Sequence, residues 1–228
     1  MNLLEMLIRL HSESSRQGAA PTSVTGNTGK NLSLLNWIKT SYEDIQLLHE
    51  TWRFRRDEFS GSTVALTQDY TPADFSITDL SQWWVDIRPG NLSGIRIYSS
   101  EADETDLQFI PWDDFRRFYK YGARRSQSER PTVFSIKPDN KMALWPVPNA
   151  IYTVNGEYVK QPDTMTDATD EPIFSDFHMA IVWKALMYYG ADAGANDVYH
   201  HGQNQYTDLI FQMEHAYLPK VQYGPPLI

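Results

Sequence analysis

The sequence predicts an α+β protein in which helices from both ends of the chain form one layer and an inserted region is mainly antiparallel β-sheet. In the two terminal thirds, apolar residues recur every three or four positions, which is the spacing of an amphipathic helix. In the centre, short apolar runs are separated by many Pro and Gly residues, which is typical of strands and turns. The expected organisation is an N-terminal helix hairpin (1–53), a β-rich region (54–165), C-terminal helices that pack on the N-terminal ones (166–219) and an extended C-terminal tail (220–228).

Two helices joined by a loop are expected in the N-terminal third. Leu3 and Leu7 fall on one side of the first helix, and Gly18 marks its end. The loop covers Gln17–Lys30, and the second helix covers Asn31–Trp52 with the clearest amphipathic pattern of this third. Such a pair forms an antiparallel hairpin, whose apolar stripe must pack on another element.

The central third is expected to contain short strands and one short helix. The helix covers Pro111–Gly122, because proline suits a first turn and Asp113 and Asp114 complement the positive end of a helix. Pro138-Asp139-Asn140 lies between two apolar runs and predicts a hairpin turn. The runs predicted as strands are Thr63–Leu66, Trp83–Ile87, Ile95–Tyr98, Leu107–Ile110, Val133–Ile136, Met142–Trp145 and Tyr152–Val159.

The last third is expected to contain two further helices. The first, Asp176–Tyr189, is capped by Asp176 and is apolar on nearly every side, which predicts a place in the middle of a packed layer. A break at Gly190–Asn196 precedes the second helix, Asp197–Leu218, and Pro219 ends it.

Composition narrows the range of functions. The chain has 228 residues with 20 Lys and Arg against 29 Asp and Glu, a net charge of −9, which argues against a general nucleic-acid binder. There is no cysteine, so disulfides, thiolate nucleophiles and cysteine metal sites are excluded. The apolar stretch Leu3–Leu10 is too short and too charged for a signal or membrane segment, so we expect a soluble protein made in a reducing compartment.

Most candidate catalytic or ligand-binding motifs in the chain do not have the residue spacing that their chemistry requires. Gly26–Asn31 departs from a phosphate-binding loop, and the adjacent His200 and His201 point in different directions on a helix. The acidic run Glu101–Asp106 lacks the order of a calcium-binding loop. We therefore expect no catalytic, cofactor or metal site. The remaining hydrolase hypothesis needs a carboxylate pair such as Asp113 with Asp114 or Glu157 with Asp163.

A basic cluster stands out in this acidic chain. It surrounds the short central helix and comprises Arg116, Arg117, Lys120, Arg124, Arg125 and Arg130. One interpretation is a solvated helix face that complements the helix dipole. The other is an interface patch that docks on an acidic partner or on a neighbouring copy of the same chain. Charge alone leaves both open.

The order of several strings along the chain resembles that of the adaptor proteins of tailed bacteriophages, also called head–tail connector or head-completion proteins. The match runs from Met1 to about Pro219, and it depends on the order of the strings because none is specific alone. The strings are Val24-Thr25-Gly26, Gln68-Asp69-Tyr70, Trp112–Arg116, Arg130–Ile136, Pro146-Val147-Pro148, Gly156-Glu157-Tyr158 and Phe177–Ile181.

The resemblance implies a structural virion protein without catalytic activity. Such adaptors form a dodecameric ring beneath the portal protein, complete the DNA-filled head and offer a platform for the tail. Partners would be the portal, tail or neck proteins such as a tail terminator, stopper or nozzle, and further copies of the chain. Genomic DNA would pass without sequence-specific binding, no membrane would be involved, and synthesis would occur in the host cytoplasm. The acidic charge and abundant aromatic residues fit a DNA conduit with large subunit interfaces.

The resemblance also gives the C-terminal segment a role in portal docking. A Pro-Pro pair favours an extended form, and apolar side chains flank it. The residues expected to dock are Val221, Tyr223, Pro225, Pro226, Leu227 and Ile228. The alternative function is a carbohydrate- or protein-binding tail accessory module that exposes Trp83, Trp84 and Trp145.

Overall fold

A computed structural model describes residues 1–14, 18–86 and 92–219, and the chain divides into two compact units. The helical unit consists of Met1–Arg55 and Pro162–Ile228, and the β unit consists of Arg56–Gln161. Helices therefore come from both ends of the chain, and a mainly antiparallel β region comes from its centre. The predicted α+β class is confirmed.

Among the residues that the structure describes, four long helices build the helical unit, and one short α-helix lies in the β unit. The first helix begins with a capping box, in which Asn2 and Glu5 satisfy each other's backbone N–H groups. The helices are α1 (Leu3–Glu13), α2 (Gly29–Leu47), α3 (Trp112–Tyr119), α4 (His178–Ala193) and α5 (Asn196–Tyr217).

The β unit contains eleven described strands. They are β1 (Arg56–Ser62), β2 (Asp69–Tyr70), β3 (Leu80–Trp84), β4 (Arg96–Tyr98), β5 (Thr105–Asp106), β6 (Gln108–Phe109), β7 (Ser128–Glu129), β8 (Val133–Ile136), β9 (Met142–Trp145), β10 (Val147–Pro148) and β11 (Thr153–Lys160). In the larger sheet, β11 pairs antiparallel with β1, β3 and β4, and β5 extends it beyond β4. A second sheet has the order β2-β9-β8-β6, and β10 pairs with β7.

The core of the helical unit is organised around α4. Ile181, Val182 and Leu186 are fully buried, and α4 packs against α1, α2 and α5. The prediction that this helix lies in the middle of a packed layer is confirmed. It follows from an apolar surface that extends nearly all round the helix, which no single neighbour can cover.

The predicted boundaries of α4 were wrong at both ends. Phe177 occupies the N-cap position, and no side chain caps the helix there, so Asp176 does not have the predicted role. The helix also continues through Gly190 to Ala193, and Gly194 follows as its C-cap in a left-handed conformation. Gly190 allows close packing, because a Cβ atom there would lie 2.7 Å from the backbone nitrogen of Tyr199 on α5.

Two further predictions are corrected by contacts that the sequence pattern does not reveal. Helix α2 ends at Leu47, and Trp52 lies beyond it with its indole N–H donated to the carbonyl of Ile45. Thr63–Leu66 is a loop, since Leu66 has φ +65° and the Tyr70 hydroxyl bonds the backbone N–H and carbonyl of Val64. The strand in this region is β1, just before the predicted position.

The hairpin turn between β8 and β9 is confirmed. Asn140 has φ +60°, and its N–H donates to the carbonyl of Lys137. The predicted strand at Trp83–Ile87 corresponds to β3, which ends at Trp84; residues 87–91 lie outside the described part of the chain.

Replacing Leu186 tests the central position of α4. Leu186→Ala should lower the free energy of unfolding by about 2–5 kcal/mol, because it leaves a cavity between packed helices. Leu47→Ala is the matched control, since Leu47 is 59% exposed and its loss should change stability by no more than about 0.5 kcal/mol. Urea unfolding followed by circular dichroism measures both, and equal effects would contradict the central role of α4.

Candidate interaction surfaces

Helix α3 presents the basic cluster because one of its faces is anchored in the β unit. Phe115 is fully buried and packs with Val133 of β8 and Ala143 of β9. The predicted bounds Pro111–Gly122 were too wide, since Pro111 is the N-cap and the helix ends at Tyr119. Acidic residues occupy its first turn as predicted. With Phe115 directed inward, Arg116 and Arg117 are left exposed on the outer side of the helix.

The exposed part of the cluster forms one continuous stretch, residues 116–125, which we call the basic segment. Arg116, Arg117, Arg124 and Arg125 are exposed, and none of their guanidinium groups forms an ion pair or hydrogen bond with a residue that the structure describes. Two aromatic side chains, Phe118 (48% exposed) and Tyr121 (62% exposed), lie between them in the sequence. Exposed arginine and aromatic side chains together are typical of protein interfaces.

Lys120 and Arg130 belong to the cluster in sequence but have structural roles. Lys120 lies 3.4 Å from the Asp69 carboxylate. Arg130 donates to the Asp103 carboxylate at 2.9 Å, to the Asp103 carbonyl at 2.6 Å and to the Ile97 carbonyl at 2.8 Å. The sequence therefore grouped cations that stabilise the β unit with cations that remain exposed.

A second charged surface lies in the helical unit, and we call it the acidic strip (residues 163–176). No Lys or Arg occurs between Lys160 and Lys184. No side-chain carboxylate of the strip forms an ion pair with a described residue. The acidic residues of the strip are Asp163, Asp167, Asp170, Glu171 and Asp176.

Side chains of α2 form hydrogen bonds with the acidic strip at Asp163, where it begins, and at Ile173, near its end. The Gln46 side-chain amide donates to the carbonyl of Asp163 at 2.9 Å and accepts from its N–H at 2.8 Å. The Tyr42 hydroxyl donates to the Asp163 carboxylate at 2.9 Å and accepts from the N–H of Ile173 at 3.0 Å. Burial, and then the negative charge of Asp163, raise the pKa of Tyr42 above its usual range, so the hydroxyl keeps its proton.

The middle of the strip is held by the start of α1. The backbone N–H groups of Leu3 and Leu4 donate to the carbonyls of Asp170 and Ala168. These donors have no partner within their own helix, because the first turn of any helix leaves its N–H groups free. The strip is therefore fixed along its length while most of its carboxylates face solvent.

The sequence interpretation missed the acidic strip. Its signal was present as a run of more than twenty residues without a Lys or Arg, from Gln161 to Trp183. The aromatic and amide side chains that fix the strip come from α2, far away in sequence, so its fixed geometry could not be inferred from spacing.

The structure does not bring together in a shared site the carboxylates that the hydrolase hypothesis pairs. Glu157 lies in β11 and forms an ion pair with Arg56, whereas Asp163 belongs to the helical unit and accepts from Tyr42. Asp113 and Asp114 are exposed in the first turn of α3. Among the residues that the structure describes, no group of three or more His, Asp or Glu side chains could hold a metal ion.

An open cleft of about 500 Å³ lies over β1, β4 and β11 in the β unit. Arg96 and Glu157 line it, and both form ion pairs within the same sheet, with Glu104 and Arg56 respectively. Two of its charged side chains are thus engaged by neighbouring residues of the sheet, as on a solvated sheet face.

The three tryptophans proposed for glycan binding do not form an exposed platform. Trp83 is only 7% exposed and donates to the carbonyl of Asn140. The Arg56 guanidinium lies 4.1 Å from the centre of the Trp84 ring, and Trp145 packs on Tyr119 with ring centres 4.2 Å apart. These contacts occupy ring surfaces that a sugar would need.

Comparison with known families identifies the chain. The sequence pattern of the SU10 adaptor protein family matches residues 1–217, which is nearly the full length. The chain belongs to the SU10 adaptor protein family. It is therefore a structural adaptor protein of a bacteriophage and a component of the virion, in agreement with the resemblance drawn from its strings. No curated protein matches it.

The adaptor's described helices include none long and apolar enough to cross a membrane. The six residues predicted to dock on the portal, from Val221 to Ile228, lie outside the described residues. The family match also ends before them, at residue 217.

The two kinds of arginine in the adaptor should differ in their effect on stability. Arg130→Met leaves the acceptors at Ile97 and Asp103 without their donor, so the free energy of unfolding should fall by about 2–3 kcal/mol. Arg125→Met removes the same charge from the basic segment and should change it by less than about 0.5 kcal/mol. Thermal and urea unfolding compare the two variants, and a large loss for Arg125→Met would show that the basic segment stabilises the fold.

Proposed function

We propose that the adaptor forms a dodecameric ring beneath the portal, completes the DNA-filled head, lines part of the DNA channel and provides the platform for the tail. The observation that carries this proposal is the family match over residues 1–217. Its partners would be the portal, further copies of the chain, and tail or neck proteins such as a terminator, stopper or nozzle. The protein would be made in the host cytoplasm and would act without catalysis or cofactor.

The charge of the chain supports a passive role towards DNA. A net charge of −9 removes the general attraction to phosphates on which DNA affinity depends. Four exposed arginines are concentrated in one short segment of the β unit, whereas Asp and Glu outnumber Lys and Arg in the chain as a whole. Genomic DNA would therefore pass without sequence-specific binding.

Loss of the adaptor should block assembly at a defined stage. A phage with a stop codon in the adaptor gene should produce tailless heads whose DNA escapes, since neither closure nor tail attachment can follow. Electron microscopy of the particles and nuclease sensitivity of their DNA measure this, and supplying the adaptor from a plasmid is the control. Particles with complete necks and tails would disprove the proposed position.

The predicted portal-docking tail remains a proposal, supported by its sequence. Tyr223, Leu227 and Ile228 are apolar anchors, and Pro225-Pro226 lowers the entropy cost of extended binding. Deleting residues 221–228 should weaken binding to purified portal rings at least about tenfold, an effect of about 1.4 kcal/mol. The deletion begins after α5 ends at Tyr217, so the helical content should not change.

A matched variant distinguishes the effect of the apolar side chains of the tail from the effect of its length. Leu227→Ser with Ile228→Ser keeps the length of the tail and removes its terminal apolar groups. Light scattering of portal mixtures should show the same loss of binding for the deletion and for the double substitution. If both bind the portal as the full chain does, the tail is dispensable.

A further inference from the structure

We propose that the basic segment (residues 116–125) of one copy docks on the acidic strip (residues 163–176) of the next copy. The inference rests on the proposed function, because it names the contact that joins neighbouring copies in the ring. Each surface is incomplete in a single chain, where the four exposed arginines of the segment and the carboxylates of the strip lack ion-pair partners among the described residues.

The basic segment has the composition of a buried interface rather than of a solvated face. Its four exposed arginines lie within ten residues and repel one another until an anionic surface neutralises them. Phe118 and Tyr121 are about half exposed or more, and water contact with these rings is unfavourable. Arginine and tyrosine are also the residues that most often dominate binding energy when an interface covers them.

The acidic strip offers the complementary chemistry. Asp167, Glu171 and Asp176 are exposed and form no ion pair with a described residue, and Ile173 adds an apolar side chain that is 38% exposed. Its backbone is already held by α1 and α2, so docking requires little additional ordering. A preformed surface loses less entropy on binding than a loop that must be ordered.

The two surfaces differ from each other, which determines the type of assembly. A contact between unlike surfaces leaves one free surface of each kind, so copies add head to tail and close into a ring when the rotation permits. The charge distribution favours this pairing. The helical unit contains eight of the chain's 20 Lys and Arg but fourteen of its 29 Asp and Glu.

Duplex DNA is the other anionic partner that the basic segment could bind. The observations favour the protein surface, because exposed Phe118 has an apolar partner in Ile173 but none on a phosphate backbone. The net charge of −9 also repels DNA over a longer range than the segment attracts it. DNA binding is therefore an outcome that the experiment must distinguish.

Charge-reversal variants test the contact in the full chain. Variant one reverses the basic segment with Arg116→Glu, Arg117→Glu, Arg124→Glu and Arg125→Glu. Variant two reverses the strip with Asp167→Lys, Glu171→Lys and Asp176→Lys, and it spares Asp163 and Asp170, which bond within the helical unit. Sedimentation velocity at about 50 mM and about 500 mM NaCl measures self-association, which salt should weaken.

We expect the wild-type chain to associate at low salt and each variant alone to associate at least about tenfold more weakly. An equimolar mixture of the two variants should recover association, because each then presents the charge that the other needs. Arg53→Glu is the matched control for Arg124→Glu, since both reverse one exposed arginine. Only Arg124→Glu should weaken association.

Several results would overturn the proposal. A chain that carries both sets of reversals also has complementary charges on its two surfaces. If this chain regains association and the mixture of the two variants does not, the contact lies within a single chain. A wild-type chain that stays monomeric at low salt, or variants that associate normally, would reject the contact. Binding of a 20-base-pair duplex in 150 mM salt that variant one loses would identify DNA as the occupant. In each case the proposed neck position is judged separately, by the stop-codon phage.

Discussion

Gln46 contacts the chain at the two points where it leaves and re-enters the helical unit. Its buried side-chain amide pairs with both backbone groups of Asp163, and its backbone carbonyl accepts from the Arg55 guanidinium at 2.9 Å. Arg55 is the last residue before the β unit, and Asp163 follows that unit closely. The Gln46 amide is fully buried, and losing a hydrogen-bond partner there costs about 1–3 kcal/mol, so its bonds to Asp163 favour the return of the chain to α2.

Helix α4 explains why helices from the N-terminal and C-terminal parts of the chain pack together. Its apolar surface needs neighbours on several sides, and α1, α2 and α5 supply them. Because α1 and α2 precede the β unit and α5 follows it, more than one hundred residues are inserted within a single helical core. The pairing of β1 with β11 suits this insertion, since it places the first and last strands of the β unit side by side.

The sequence predicted features that depend on local pattern and missed those that depend on distant partners. The position of α4 and the Pro138–Asn140 turn follow from periodicity and turn chemistry, and both were correct. The strand β1 was missed because its sequence, RDEFSGS, is mostly polar and is a strand through its pairing with β11. Of the two candidate interaction surfaces, the basic cluster could be predicted from the sequence. The hydrogen bonds by which α2 fixes the acidic strip could not, because they join residues that are far apart in sequence.

The same distinction explains which cations are exposed. Arg130 and Lys120 lie beside carboxylates and carbonyls of the β unit and donate hydrogen bonds to them. Arg116 and Arg125 have no such acceptor within the described chain, and a fold gains nothing from placing like charges close together. Four exposed arginines lie within ten residues of one another, and their mutual repulsion is unfavourable in the isolated subunit. Docking on an anionic surface of a neighbouring copy, as proposed above, would neutralise these charges.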